Sequence, residues 1–157
     1  MNLADEVINI IEAYPDEGRE ATDATNFRKR ISLCAALAAS HYAGDFVEIG
    51  AFVGQTTVEL LRVAGEANRK VVVVDPWKEG TQNCRGGEYK EFLTRTRSFS
   101  NLEVIRDFSQ RDEVRNKMLN RLLAFTLVDG LHKYGAALND IVMTRHSLII
   151  AVDDVLW

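Results

Sequence analysis

Hydrophobic residues along the chain follow two alternating patterns, which predict strands and helices in turn. Short runs of apolar and β-branched residues are typical of strands buried in a parallel sheet. The segments between these runs repeat apolar residues every three or four positions, as amphipathic helices do. The predicted strands cover residues 46–49, 70–74, 102–106, 125–128 and 148–152. The predicted helices between them cover residues 56–66, 88–97, 111–122 and 135–143.

Two further helices are predicted before the first strand, over residues 3–14 and 26–42. Residues 15–18, which include proline and glycine, interrupt the helical pattern between them. Gly44 is placed where a glycine commonly ends a helix. The alternation of strands and helices indicates an α/β fold, a doubly wound, Rossmann-like parallel sheet of five strands with right-handed crossovers.

We expect a single domain, because the chain has 157 residues and no linker-like segment. Its expected parts are an N-terminal helical cap over residues 1–43 and a sheet core over residues 44–157. The last predicted strand is very apolar for a sheet edge, where backbone groups are left unpaired. We therefore expect either that another chain covers it, as in a homodimer through this C-terminal edge, or that the sequence is a shortened form of a longer protein.

The composition argues against several classes of protein. Hydrophobic residues make up 46% of the chain, which is enough for a packed core. The 19 basic and 23 acidic residues give a net charge of −4, which disfavours a nucleic-acid partner. No apolar run approaches the roughly 20 residues of a membrane span, and the N-terminus lacks the basic region of a signal peptide. We expect a cytoplasmic protein in which Cys34 and Cys84 are free thiols, although a disulfide stays open.

An acidic residue and two glycines follow the first predicted strand, within residues 48–54. Gly50 has no Cβ, so a ligand can approach the backbone there, and Gly54 lets the next helix begin close to the turn. Glu48 can accept hydrogen bonds from a cationic or hydroxylated ligand. The spacing differs from the Gly-x-Gly-x-x-Gly motif of dinucleotide-binding proteins. An ordinary strand-turn-helix connection is the alternative interpretation.

Polar residues also follow the second and third predicted strands. Asp75 comes about 25 residues after Gly50, where an acid can bind the two ribose hydroxyls of an adenosine. The alternative is a solvated aspartate at a strand end. Residues 107–110 (Asp-Phe-Ser-Gln) lie where an adenine edge would be placed, and Ser109 or Gln110 could hydrogen-bond to it. Ser109 could instead cap the following helix.

Three further acids follow the fourth and fifth strands, namely Asp129, Asp153 and Asp154. Neighbouring strands would bring them to one edge, where carboxylates repel one another unless a cation neutralises them. Oxygen ligands of this kind suit a hard divalent cation. The alternative is that the acids cap loops and that one of them is buried.

His132 lies three residues after Asp129, and a neutral imidazole there would be a competent general base. A surface histidine is the alternative, and Lys133 competes for the role. Trp77 and Tyr134 could line a pocket for a planar group, although aromatic residues at such positions are more often packing residues.

Several of these residues together resemble the class I S-adenosylmethionine-dependent methyltransferases. Residues 48–54 resemble their first motif, and Asp75 resembles their ribose-binding acid. The aspartates after the fourth and fifth strands resemble those of metal-dependent small-molecule O-methyltransferases of the catechol, caffeoyl-CoA and macrocin types. Residues 108–110 resemble the adenine-side segment. His132 stands where catechol-type members carry a lysine, and residues 129–134 match the macrocin-type motif except at Leu131.

The resemblance implies an S-adenosylmethionine-dependent methyltransferase that acts on the hydroxyl group of a small-molecule acceptor, with Mg²⁺ or another divalent cation. It implies catalysis by His132 and Asp129. The implied metal ligands are Asp129, Asp153 and Asp154. The implied cofactor contacts are Glu48, Gly50, Ala51, Phe52, Gly54, Gln55, Thr56, Asp75, Pro76, Trp77, Asp107, Phe108, Ser109 and Asp129.

Two features depart from the family pattern. Residues 144–147 replace the Pro-Gly-Gly-like turn that usually precedes the fifth strand, and strands six and seven of the family sheet are missing. These departures leave open a truncated or degenerate cofactor-binding domain without transfer activity. An antibiotic hydroxylase-like protein is a second alternative, because such relatives of the macrocin group carry similar motifs. A nicotinamide-dependent oxidoreductase is a further alternative, against which the spacing of Gly50 and Gly54 argues.

Overall fold

The computed structural model describes residues 2–15, 20–80 and 84–153. Six helices and five strands occur in this part of the chain. The helices are α1 Leu3–Ala13, α2 Glu20–His41, α3 Gln55–Glu66, α4 Glu88–Thr96, α5 Asp112–Leu119 and α6 Tyr134–Thr144. The strands are β1 Asp45–Ile49, β2 Val71–Val74, β3 Leu102–Ile105, β4 Leu123–Val128 and β5 Ile149–Val152.

The strands form one parallel sheet in the order β3-β2-β1-β4-β5. The chain builds outward from β1 to β3 and then crosses back to add β4 and β5 on the other side of β1. Ile49 pairs with Val74 on one side and with Val128 on the other, so the three central strands end level. This arrangement confirms the predicted doubly wound α/β fold, and it opens a crevice between the loops after β1 and β4.

The central strands are apolar because both of their faces are covered. Every residue of β2 and of β4 is buried, as are residues 46–49 of β1. On one face the strands pack against α2, α3 and α4, in a core that includes Phe46, Leu60 and Phe92. On the other face they pack against α5 and α6, in a core that includes Val114 and Met143. Both faces therefore fix the positions of the strand ends.

The N-terminal helices were expected to form a cap, but α2 is a layer of the fold. It packs against α3 and β4. Ile31, Cys34, Ala35 and Ala38 are buried in the same core as β1 and β2. The helix also begins at Glu20, six residues before its predicted start, in a polar segment without apolar periodicity. None of the helices in the described ranges is long and apolar enough to span a membrane.

Gly44 has a different role from the predicted one, because α2 already ends at His41. A Cβ at Gly44 would overlap the backbone of β4 and would lie 2.6 Å from the carbonyl carbon of Leu123. The glycine therefore allows β1 to enter the sheet beside β4, where the register shifts between Asp45 and Phe46. The remaining element boundaries agree with the predicted ones to within three residues. The predicted Asp154 and residues 155–157 lie outside the described residues.

Replacing Gly44 by alanine should destabilise the protein by about 2 kcal/mol, since the new methyl group meets backbone atoms that cannot rotate away. Gly65→Ala is the matched control. Its Cβ would meet only the Asn101 side chain, at an ordinary 3.7 Å, so stability should stay unchanged or rise by up to about 1 kcal/mol. Urea unfolding of both variants measures the difference, and equal stabilities would contradict the proposed role of Gly44.

Candidate functional site

A cavity of about 690 Å³ lies at the carboxyl ends of β1, β2 and β4. It is at the point where the strand order reverses, which is where open α/β sheets bind ligands. Its size is in the range of small-molecule sites. The predicted site residues that line it are Glu48, Gly50, Ala51, Phe52, Gln55, Thr56, Asp75, Pro76, Phe108, Ser109, Asp129 and His132. The structure therefore brings most of the predicted site together.

The turn after β1 lies directly against the turn after β4. Gly50 has a φ of +86°, and a Cβ there would overlap the carbonyl group of Asp129, with 2.6 Å to its carbon atom. Phe52 also adopts a left-handed conformation, with a φ of +49°, which is unusual for a bulky residue. The residue is 46% exposed and lines the cavity. Such strained backbone persists only where the surroundings enforce it.

Asp75 holds the β1 turn in this shape. Its Oδ2 atom accepts hydrogen bonds from the backbone N–H groups of Ala51, at 2.9 Å, and Phe52, at 3.0 Å. Its Oδ1 atom accepts one from the N–H of Trp77, at 2.7 Å. The side chain is 8% exposed. Asp75, which was predicted to bind a ribose, therefore stabilises the turns that follow β1 and β2. The sequence did not predict this role.

Glu48 is a buried carboxyl below the same turn, with 1% of its surface exposed. It accepts a hydrogen bond from the Thr57 hydroxyl of α3. Burial is the main cause that raises the pKa of Glu48 to about 8, against the opposing effect of the Thr57 hydrogen bond and with smaller contributions from the nearby charges of Asp129 and Asp75. Three acids thus surround one cavity, and this arrangement favours a cationic ligand.

Asp129 and His132 lie together at the mouth of the cavity. Nε2 of His132 is 3.8 Å from Oδ1 of Asp129, and both side chains are about 30% exposed. Asp129 and His132 lie close together because both belong to the loop between β4 and the start of α6. Lys133, the competing base, also lines the cavity.

The structure does not show the predicted metal site in the part of the chain that it describes. Asp129 and Asp153 each follow a paired position of β4 and β5, since Val128 pairs with Val152. Asp153 does not line the cavity, and Asp154 lies outside the described residues. Within the described ranges, no three His, Cys, Asp or Glu side chains are grouped as a metal site requires.

The segment after β3 contributes Phe108 and Ser109 to the cavity wall, together with Gln110. Asp107 lines a neighbouring cavity of about 440 Å³ and lies 3.7 Å from the guanidinium group of Arg111. Phe108 belongs to the walls of both cavities. Ser109 and Gln110 therefore lie where they could contact an adenine bound in the cavity.

Two predicted cofactor residues are packing residues in the structure. The indole ring of Trp77 lies among Tyr89 and Phe92, and its N–H donates to the carbonyl of Phe52. Gly54 begins α3 with a φ of +81°, and a Cβ there would lie 2.9 Å from the Phe92 ring. Neither residue lines the main cavity, although Trp77 lines the neighbouring one, and their contact with a cofactor stays a prediction.

Sequence reasoning missed three residues near the cavity. Cys84 lines it from the loop before α4. Thr57 lies below it, on the buried face of α3, and Asp140 lies on the buried face of α6. The signal for the last two was available, because each is a polar residue at a helix position where the apolar repeat requires burial. A polar residue at such a position needs a hydrogen-bond partner.

Comparison with known proteins identifies a family. A family model described as a methyltransferase domain (Methyltransf_24) matches residues 47–155, which is more than half of the chain. No curated protein matches the sequence. The apo structure of CalS11, a TDP-rhamnose 3′-O-methyltransferase and an enzyme in calicheamicin biosynthesis, matches with a TM-score of 0.56 and 14% sequence identity. The match covers 98% of this chain and 78% of that chain, and at this identity it shows the fold alone.

Glu48 should make the stability depend on pH. Folded Glu48 keeps its proton up to about pH 8, whereas the unfolded chain releases it near 4.5. The folded state therefore holds the extra proton in this window, and the free energy of unfolding should fall as the pH rises through it, by up to about 1.4 kcal/mol per pH unit. Glu48→Gln cannot titrate and should lack this fall.

Urea unfolding of the wild type and Glu48→Gln at about pH 5 and about pH 8 measures this difference. Asp140, whose pKa is also raised by burial, contributes in the same direction to both proteins and cancels in the comparison. Parallel stability profiles would contradict the assignment.

Proposed function

The chain belongs to the methyltransferase domain family, and from this we propose that it transfers the methyl group of S-adenosylmethionine to a hydroxyl group of a small molecule. The family and the fold together support the class I S-adenosylmethionine-dependent methyltransferases, the class that residues 48–54 and Asp75 resemble. The observation that carries the proposal is the cluster of Glu48, Asp75 and Asp129 around the cavity at the switch point.

The charges of the methyl donor suit this cluster. S-adenosylmethionine carries an ammonium and a sulfonium group, and both would be attracted by carboxylates in a partly dry cavity. We place the ammonium group near Glu48 and Gly50. A bound cation there would favour the ionised form of Glu48, reversing the effect of burial on its pKa. In the free protein Glu48 would thus carry a proton, which it would lose when the ligand binds.

Asp75 can bind the ribose while it braces the turns. An ionised carboxylate has about four lone-pair sites, and three of them accept backbone N–H groups here. The remaining site, on Oδ1, is available to a ribose hydroxyl. Residues 108–110 would then contact the adenine ring.

His132 is the proposed general base. It would take the proton of the acceptor hydroxyl, and Asp129 would stabilise the imidazolium that forms. The acceptor oxygen then attacks the methyl carbon, while the carbon–sulfur bond breaks and its electron pair stays on sulfur. The products are a methyl ether and S-adenosylhomocysteine. Holding oxygen and methyl carbon close and aligned supplies a large part of the acceleration.

A divalent cation is the less supported part of the proposal. Asp129 and Asp153 are carboxylate donors of the right chemistry at neighbouring strand ends, and Asp154 would be a third. A magnesium ion held there would act as a Lewis acid toward the acceptor hydroxyl. The proximity of His132 and Asp129 supports an alternative in which this pair removes the proton without a cation.

The proposed acceptor is a small molecule with a hydroxyl group. The cavity size suits a small molecule. A homodimer through β5 is a further proposal, supported by the apolar sequence of this edge strand.

The cofactor part is tested by calorimetric titration with S-adenosylhomocysteine. We expect micromolar binding to the wild type, and the same affinity for Asp153→Ala, because Asp153 lies outside the cavity that would hold the cofactor.

Magnesium titration of the same two proteins tests the proposed metal site, and Asp153→Ala should bind magnesium more weakly than the wild type. Asp112→Ala, which removes an exposed acid of α5, is the control. Failure of the wild type to bind S-adenosylhomocysteine would overturn the proposed function, and unchanged magnesium binding would remove only the metal.

The role of His132 is tested by methyl transfer from radiolabelled S-adenosylmethionine to a panel of vicinal diols and sugars. His132→Ala should lower the rate by roughly 10²- to 10⁴-fold, as expected for loss of a general base, without changing the affinity for S-adenosylhomocysteine. His41→Ala, at the exposed end of α2, is the matched control and should keep the full rate. Full activity of His132→Ala would exclude it as the base.

A further inference from the structure

Phe52 is a bulky residue that lines the main cavity in a strained conformation. Its φ of +49° lies in the left-handed region, which a phenylalanine rarely adopts. The loop after β2 binds both of its backbone polar groups. The N–H donates to Oδ2 of Asp75 at 3.0 Å, and the carbonyl accepts a hydrogen bond from the indole N–H of Trp77 at 2.7 Å. A strained conformation persists only where its surroundings enforce it, and these two bonds enforce this one.

The indole ring of Trp77 is itself fixed in place. Trp77 is buried and packs against Tyr89 and Phe92 of α4, with ring centroids 4.8 Å and 4.7 Å from its own. Its backbone N–H donates to Oδ1 of Asp75 at 2.7 Å. An indole nitrogen is a donor only, so a ring held in this way directs its single N–H at the carbonyl of Phe52. Trp77 therefore connects the aromatic residues of α4 to the turn after β1.

The side chain of Phe52 is the part of this turn that a ligand would meet. Phe52 is exposed and lines the main cavity, whereas Trp77 lines the neighbouring one. If the indole bond is lost, fewer molecules will keep the left-handed turn. The apparent affinity for a ligand that contacts the Phe52 ring falls with the fraction of molecules in the binding conformation.

We propose that Trp77 is a positioning residue, which holds the Phe52 carbonyl through its indole N–H and so keeps the Phe52 ring where it contacts the bound methyl donor. The inference rests on the proposed function, because it takes the ligand of the main cavity to be S-adenosylmethionine or its product. The loop after β2 then acts on the ligand in two ways: through the Asp75 carboxylate, and through this indole from outside the main cavity.

The experiment replaces the indole N–H alone. The chain has one other tryptophan, Trp157, so a Trp157→Phe protein can carry β-(3-benzothienyl)alanine at position 77 only. This analogue has the shape of tryptophan, with a sulfur atom in place of the N–H. In calorimetric titration, S-adenosylhomocysteine should bind about tenfold more weakly than to the Trp157→Phe parent, as expected when a carbonyl group loses its partner.

Trp77→Phe is a second variant that lacks the N–H but keeps an aromatic ring beside Tyr89 and Phe92. It should weaken binding at least as much as the analogue does. If Trp77→Phe does not fold, the protein with the analogue decides the question, because its packing is preserved.

Phe52→Ala tests whether the effect passes through the Phe52 ring. Removal of the ring should weaken binding to a similar extent. The double variant Trp77→Phe/Phe52→Ala should bind no more weakly than Phe52→Ala alone, because two residues that act through one contact are not additive.

Gly44→Ala is the control for stability. Its clash with β4 lies next to the start of β1, at the opposite end of the strand from the turn. It should lower the free energy of unfolding in urea and leave the affinity for S-adenosylhomocysteine unchanged. A change in affinity at Trp77 is then not a general consequence of lower stability.

The outcomes are distinct. Weaker binding in both Trp77 proteins, with an unchanged Gly44→Ala and a double variant equal to Phe52→Ala, supports the inference. Unchanged affinity in the protein with the analogue, additive losses in the double variant, or an equal loss in Gly44→Ala would each overturn it while the proposed function stands. A parent protein that does not bind S-adenosylhomocysteine would overturn the proposed function and this inference together.

Discussion

Close contact between the turns after β1 and β4 is the constraint on which the rest of the site depends. Gly50 permits it, because any side chain there would overlap the carbonyl group of Asp129. Asp75 then locks the β1 turn from the side of β2, through hydrogen bonds to the N–H groups of Ala51 and Phe52. Three strand ends are thereby joined into one rigid rim, and rigid placement is what a methyl transfer between two bound molecules requires.

The same contact concentrates negative charge. It places Glu48 and Asp75 near Asp129, in a cavity whose walls are partly apolar. Burial raises the pKa of the Glu48 carboxyl to about 8, so this group favours its protonated form at neutral pH. Asp140, below the loop that carries Gly130, extends this pattern to a second helix.

Much of the candidate site could be predicted because its residues follow strands. The apolar run of β2 stops at Val74, so Asp75 could be identified from the sequence as the residue after the strand. The expected order of the strands places Glu48 and Asp129 nearby. The correct identification of the methyltransferase family depended on these same positions. The packing of Trp77 and Gly54 against the ring of Phe92 could not be predicted, because it depends on a residue of α4 that is distant in sequence.

The sequence by itself determined the order of elements, the parallel sheet and the acids at its edge, because hydrophobic periodicity and strand ends are local properties of the chain. Only the tertiary structure decided which backbone groups meet. It placed Gly44 in contact with β4 instead of at a helix terminus, made Asp75 a hydrogen-bond acceptor for the turn after β1, and buried Asp140 beside Gly130. These roles depend on neighbours distant in sequence, and a single sequence carries no local pattern for such contacts.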